Sequence, residues 1–209
     1  MVQWLSSGTY RAPHIEGHRR LFFRLIIGLL QGASAYGLYR ITSFDDLNTT
    51  LLLTWALVTA YAPPLWLAAI GQISFRSTLI WGALATALVA GLGLSSGMDG
   101  AQHTTLAVLA VCLPVALFCA HHLAIPAINQ RSLIAPYETY YEAAWKAGIQ
   151  LVLALMFLGV FWAILFLGSM LFKAIGIGLI EDIITDALFA CIVTPLFFAL
   201  GVELSDVRD

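Results

Sequence analysis

The stretch 149–172, IQLVLALMFLGVFWAILFLGSMLF, holds twenty-four residues without a single charge. A bilayer hydrocarbon core is about 30 Å thick and takes roughly 20 apolar residues as a helix. In lipid no water satisfies an exposed backbone amide, so such a run must be helical. Working outward from it, five more runs of that length appear at residues 21–39, 50–70, 78–94, 106–125 and 187–204. The whole composition agrees. Apolar residues make up 60% of the 209 and charged residues 11%, against about 45–50% and about 25% in soluble domains. Ten Lys/Arg and twelve Asp/Glu are too few to wet the surface of a soluble globule of this length. The reading is an all-α polytopic transmembrane bundle of about six spans. Pro63, Pro64, Pro114 and Pro195 lie inside spans two, four and six. Each removes one helical hydrogen bond, so kinks are expected there.

Charge placement sets the orientation. With the N-terminus inside, Arg11, Arg19, Arg20, Arg24, Arg76, Arg131, Lys146 and Arg208 fall on the cytoplasmic side, and Arg40 and Lys173 on the other. The predicted organisation is a cytoplasmic N-terminal segment (1–20), a six-span domain (21–204) and a cytoplasmic tail (205–209). Arg19-Arg20, the apolar run 21–30 and Ala33-Ser34-Ala35 together imitate a secretory signal peptide. Twenty polar-leaning residues ahead of that run favour a retained first span instead.

The long connection between spans four and five carries an amphipathic segment, 137–147. Tyr137, Tyr140, Tyr141 and Trp145 share one side at helical spacing, with Glu138, Glu142 and Lys146 on the other. This predicts a separate interfacial helix lying in the membrane surface, anchored by aromatics at the headgroup level.

The run Phe118-Cys119-Ala120-His121-His122-Leu123 is followed by Ile134-Ala135-Pro136-Tyr137-Glu138-Thr139-Tyr140, Ala144-Trp145-Lys146, Gly159-Val160-Phe161-Trp162 and Leu171-Phe172-Lys173-Ala174-Ile175-Gly176-Ile177. With Ile27-Gly28-Leu29-Leu30-Gln31-Gly32 near the start, this order resembles a bacterial family of polytopic inner-membrane proteins, domain of unknown function four-one-five-three. The resemblance spans nearly the whole chain and is strongest from His121 to Arg208. It implies a bacterial inner-membrane location and, because relatives generally continue with several more spans, an amino-terminal part of a longer protein. It supplies no catalytic residues.

Chemistry-bearing residues are sparse. A net charge of −2 without a basic stripe excludes a nucleic-acid binder. Cys112, Cys119 and Cys191 are odd in number and sit in apolar runs, where a small buried thiol is the ordinary reading. No catalytic residue, resident metal or cofactor is expected. His121 and His122 close span four, and His14 and His18 precede span one on the same side. The four are the candidates for a haem or metal site. Against that, histidines at the headgroup boundary commonly bond loops or lipid phosphates, and no accompanying Cys or carboxylate has metal-ligand spacing. Arg19, Arg20 and Arg24 read as an anionic-lipid contact, with Arg24 snorkelling from one turn inside span one. Glu203 is the one acid within a span, and it lies at an end. Gln31, near the middle of span one, is expected to bond a neighbouring helix. Gly28 and Gly32, and then Ala83, Ala87 and Gly91, repeat small residues at four-residue spacing and predict close helix packing. The expected partners are membrane lipids, with protein subunits or further copies of the chain on the packing faces.

Three function classes follow: a non-catalytic accessory or scaffold component of a membrane assembly, part of a transporter or lipid- and solute-handling protein, or a membrane enzyme or haem protein built around His121 and His122. Six spans return the C-terminus to the cytoplasm. A reporter fused after Asp209 should therefore be active on the cytoplasmic side, and periplasmic activity would overturn the six-span count.

Overall fold

A computed structural model of the chain describes residues 13–42, 48–96, 102–130, 132 and 134–206, with side chains from residue 17 and, in the third segment, from residue 110. The described residues form seven helices and no strand: α1 (Pro13–Ile41), α2 (Thr49–Ala69), α3 (Phe75–Ser96), α4 (Gln102–Gln130), α5 (Tyr137–Ala174), α6 (Leu179–Thr185) and α7 (Ala187–Leu204). All but α6 are long and apolar enough to cross a membrane. The chain is a multi-pass membrane protein.

Local chemistry sets the helix ends. The Asn48 side chain accepts from the amides of Thr50 and Leu51 to start α2, and Asp186 accepts from Phe189 to start α7. α5 stops in a Schellman turn: the amide of Ile177 reaches the carbonyl of Phe172, and that of Gly176 the carbonyl of Lys173. Gly176 takes the left-handed φ of 83° that this turn demands. α2 and α3 are joined by a tight turn in which Gly71 has φ 85°.

The segment 137–147 is helical, but it is no separate interfacial helix. It forms the first turns of α5, which runs unbroken for 38 residues, about 57 Å and well beyond the hydrocarbon thickness. Only Gly148 interrupts the helix-forming pattern at the expected boundary, and one glycine costs about 1 kcal/mol, too little to end a helix. α6 is a short element between spans five and six, in a stretch whose glycines read as a loop.

The interior prolines leave their helices unbroken. Each removes the donor to the carbonyl four residues earlier, and two of the freed carbonyls accept from a side chain on a neighbouring helix, as lipid favours. Pro63 frees the carbonyl of Thr59, which accepts from Gln31 Nε2 at 3.1 Å. Pro114 frees that of Ala110, which accepts from the Tyr61 hydroxyl at 3.2 Å. Pro195 frees that of Cys191, which lies 2.8 Å from where a Cβ on Gly32 would stand. The expected interhelical role of Gln31 is therefore specific to a proline-freed carbonyl.

α1 packs antiparallel along α7, and α2 along α3. A Cβ on Gly28 would meet the Pro195 carbonyl at 2.9 Å and one on Gly32 the Ile192 Cα at 2.7 Å, so both glycines permit contact between the backbones of α1 and α7. On α3 the small residues pack one position away from the expected stripe. Gly82 is pressed against the Trp66 ring and Gly93 against Thr54, with Ala85, Val89 and Ser96 on the same buried face. Ala83, Ala87 and Gly91 face outward, and nothing lies within 4 Å of a Cβ at Gly91. One residue is about 100° of helical turn, so the two four-residue patterns compete, and the Trp66 and Thr54 contacts decide between them. Cys112 and Cys119 are also exposed on α4 and not buried. The apolar core sits between α2, α3 and α4, on Leu57, Leu65, Ala85, Val89, Leu113 and Leu117. α5 buries only Ala154 and Ser169.

Gly32→Leu should overpack the α1–α7 seam and cost about 1–3 kcal/mol or more, whereas Gly91→Leu should fall within about 0.5 kcal/mol of the parent. Thermal unfolding in detergent measures both, and the reverse ranking would place the packed face of α3 where the sequence first suggested.

Candidate functional site: a buried charge cluster beside an amphipathic chamber

Polar chemistry collects at one end of the bundle, where α1, the α2–α3 turn, the end of α4, the start of α5 and the end of α7 meet. Its centre is Arg24, only 1% exposed. The guanidinium does not snorkel to lipid headgroups. Nη1 bonds Glu203 and, at 3.4 Å, the Val202 carbonyl, while Nη2 bonds Asp206 and the Ile70 carbonyl, each at 3.0 Å. Two of these acceptors are carboxylates and two are carbonyls near the C-termini of α2 and α7, where the helix dipole favours a cation. That set of acceptors outcompetes the headgroup region and turns the side chain inward. Arg20 joins at 3.7 Å from Asp206 and is partly exposed, whereas Arg19 and His18 are exposed.

Beside this cluster lies a chamber of about 210 Å³ between α2, α4, α5 and α7. Its walls are mostly apolar (Leu65, Leu117, Leu151 and Phe198 among them), with Gln72, His121, His122 and Gln150 as polar members. It adjoins a second cavity of about 530 Å³, with which it shares Gln72, Ala147 and Gln150. That second cavity is more polar than the first: Asn129, Gln130, Thr139, Lys146 and Asp206 line it, along with Ile125, Pro126 and Ala143. A mostly apolar cavity thus adjoins a more polar one.

The two histidines are held in defined tautomers. The Trp81 indole can only donate, and its Nε1–H reaches His121 Nδ1 at 3.1 Å. Nδ1 is therefore the acceptor, and the neutral ring carries its proton on Nε2. That Nε2 is buried and without a partner, a cost of about 1–3 kcal/mol where nothing satisfies it. His122 Nδ1 lies 2.8 Å from the Phe118 carbonyl, which can only accept, so Nδ1 carries the proton. The rings sit 5.3 Å apart, edge to face.

Of the four histidines, the structure shows His121 and His122 side by side on α4. α4 packs on α2, α3 and α5, and α1 on α2 and α7. His18 is exposed on α1, and the side chain of His14 lies outside the described residues. No group of three or more His, Cys, Asp or Glu able to hold a metal occurs among the described residues. On α5, Tyr137, Tyr141 and Trp145 form an exposed ladder with ring centroids 6.4 and 6.5 Å apart. Tyr140 is turned inward and accepts from the Ala135 amide at 2.9 Å.

Sequence reasoning passed over Asp206, Trp81, Gln72 and Gln150. Glu203 and Asp206 stand three residues apart, on one side of a helix end and on the same side of the membrane as Arg24, and that spacing was the available signal for an ion cluster. No family model, curated protein or solved structure matches this chain.

Removing one partner of a buried ion pair costs about 3–5 kcal/mol. Arg24→Met should thus lower the thermal midpoint on the order of 10 °C. Adding Glu203→Gln and Asp206→Asn should recover most of the loss. A single variant as stable as the parent would show that the cluster contributes nothing to the fold.

Proposed function

We propose that this chain is a non-catalytic, multi-pass protein of a bacterial inner membrane, with both ends cytoplasmic, that handles a lipid-class amphiphile. The carrying observation is the α2/α4/α5/α7 chamber, mostly apolar and adjoining the more polar cavity at Lys146 and Asp206. Such a pair matches a molecule with an apolar tail and a polar head, because ligand sites pair apolar walls with a few fixed polar groups. The orphaned Nε2–H of His121, in a residue of that wall, would favour a ligand bearing a hydrogen-bond acceptor. The bacterial location rests on the resemblance to the polytopic family carried by Phe118–Lys146, and the orientation on the eight-to-two distribution of Lys and Arg.

The accessory or scaffold reading draws on a different observation, the outward Ala83, Ala87 and Gly91 of α3, which would let another helix approach closely.

Native mass spectrometry of protein extracted gently from its own membrane separates the two. A bound amphiphile is expected, and Ala147→Trp, which fills space at the junction of the two cavities, should weaken its retention at least ten-fold, about 1.4 kcal/mol. A stoichiometric protein partner with no bound amphiphile would replace this reading with the scaffold one.

A further inference from the structure

A third cavity, of about 620 Å³, lies away from the chamber, between the first turns of α1 and the start of α3. Its lining changes character with depth. At the end of the bundle stand Arg19, Arg20 and Ser74, and Arg76 is exposed close by in sequence. One to two turns further along their helices come Ile27, Trp66 and Leu79, about 6–12 Å deeper for helices that cross the membrane. Among the described residues, the carboxylates Glu203 and Asp206 face Arg24, and Asp206 also faces Arg20. The cavity therefore opens on cations at headgroup level and continues as an apolar trough toward the membrane interior.

We propose that this groove binds an anionic glycerophospholipid, its phosphate held by Arg19 and Arg20 and one acyl chain lying along Ile27, Trp66 and Leu79. Charge alone would suit any phosphate. The apolar trough directly beneath the cations selects the lipid, because a free phosphate gains nothing from it, whereas each buried CH₂ of a chain does. Arg19 is the residue that specifies the lipid, since it is exposed and no part of the Arg24 cluster. Arg20 lines the groove and is already paired with Asp206.

The test uses the full chain, delipidated in a neutral detergent and titrated with phosphatidylglycerol or phosphatidylcholine while bound lipid is counted by native mass spectrometry. Phosphatidylglycerol should bind in preference. Arg19→Gln should weaken it about five-fold, the worth of one interfacial cation, and leave folding intact because the residue is exposed. Lys173→Gln, which removes a cation from the far end of α5, should leave binding unchanged. An excess of inorganic phosphate should fail to displace the lipid. Equal binding of the two lipids, an Arg19→Gln variant that binds like the parent, an equal loss with Lys173→Gln, or full displacement by inorganic phosphate would each overturn the proposal. The chamber variant Ala147→Trp should leave this binding untouched, so the groove and the chamber fail or stand separately.

Discussion

The guanidinium of Arg24 is fully enclosed in a chain whose solvent is mostly lipid, and such a charge persists only when protein acceptors offset its desolvation. Four acceptors from two helices and a turn meet its two Nη groups, Glu203, Asp206 and the carbonyls of Val202 and Ile70, while Nε stays buried without a partner. Desolvating an ion costs several kcal/mol, and this set returns that cost only in one arrangement of α1, α2 and α7. The cluster thereby fixes the relative depth of three helices. With Arg24 opposite Glu203 in an antiparallel pair, Gly28 falls opposite Ala199 one turn deeper, and Gly32 arrives at Ile192 and the carbonyl freed by Pro195. On the other side, with Arg24 at Ile70, Gln31 reaches the Thr59 carbonyl and Ser34 the Thr59 hydroxyl. A shift of one turn would bring Leu29 or Tyr36 toward these contacts and leave proline-freed carbonyls facing hydrocarbon.

Span number, helical class and approximate boundaries were legible in the sequence because lipid imposes a length and a composition on every crossing. The α1 glycine seam was also legible, since Gly28 and Gly32 are the one pair of glycines at four-residue spacing on that helix. On α3 the sequence offered two interleaved patterns, Gly82-Ala85-Val89-Gly93 and Ala83-Ala87-Gly91, and only the bulk of Trp66 and Thr54 on the neighbouring helix chooses the first. Arg24 was misread for a related reason. Its depth is readable from one helix, but whether it snorkels depends on acids nearly 180 residues away. The surface helix at 137–147 was inferred from amphipathicity, which speaks to the faces of a helix and not to where it ends. The chamber was not legible at all, because a cavity arises from the mutual spacing of α2, α4, α5 and α7.

Chamber and charge cluster are joined by one carbonyl. Val202 accepts from Arg24 Nη1 at 3.4 Å and from Gln150 Nε2 at 2.9 Å. Gln150 lines both the chamber and the more polar cavity beside it, and its own carbonyl accepts from Ser205 in the turn that ends α7. The last turn of α7 therefore sets the charge pairing on one side and the position of a chamber wall on the other. Gly201 lets α5 approach this turn closely, with the Ala154 Cα 3.1 Å from where a glycine Cβ would stand. Beyond that contact, Phe161 and Phe157 stack on Phe197, Trp162 meets Phe189 edge to face, and Lys173 pairs with Glu181 of α6. Arg24 thus holds α1, α2 and α7 together, while Gln150 ties the α5 wall of the chamber to the same turn of α7.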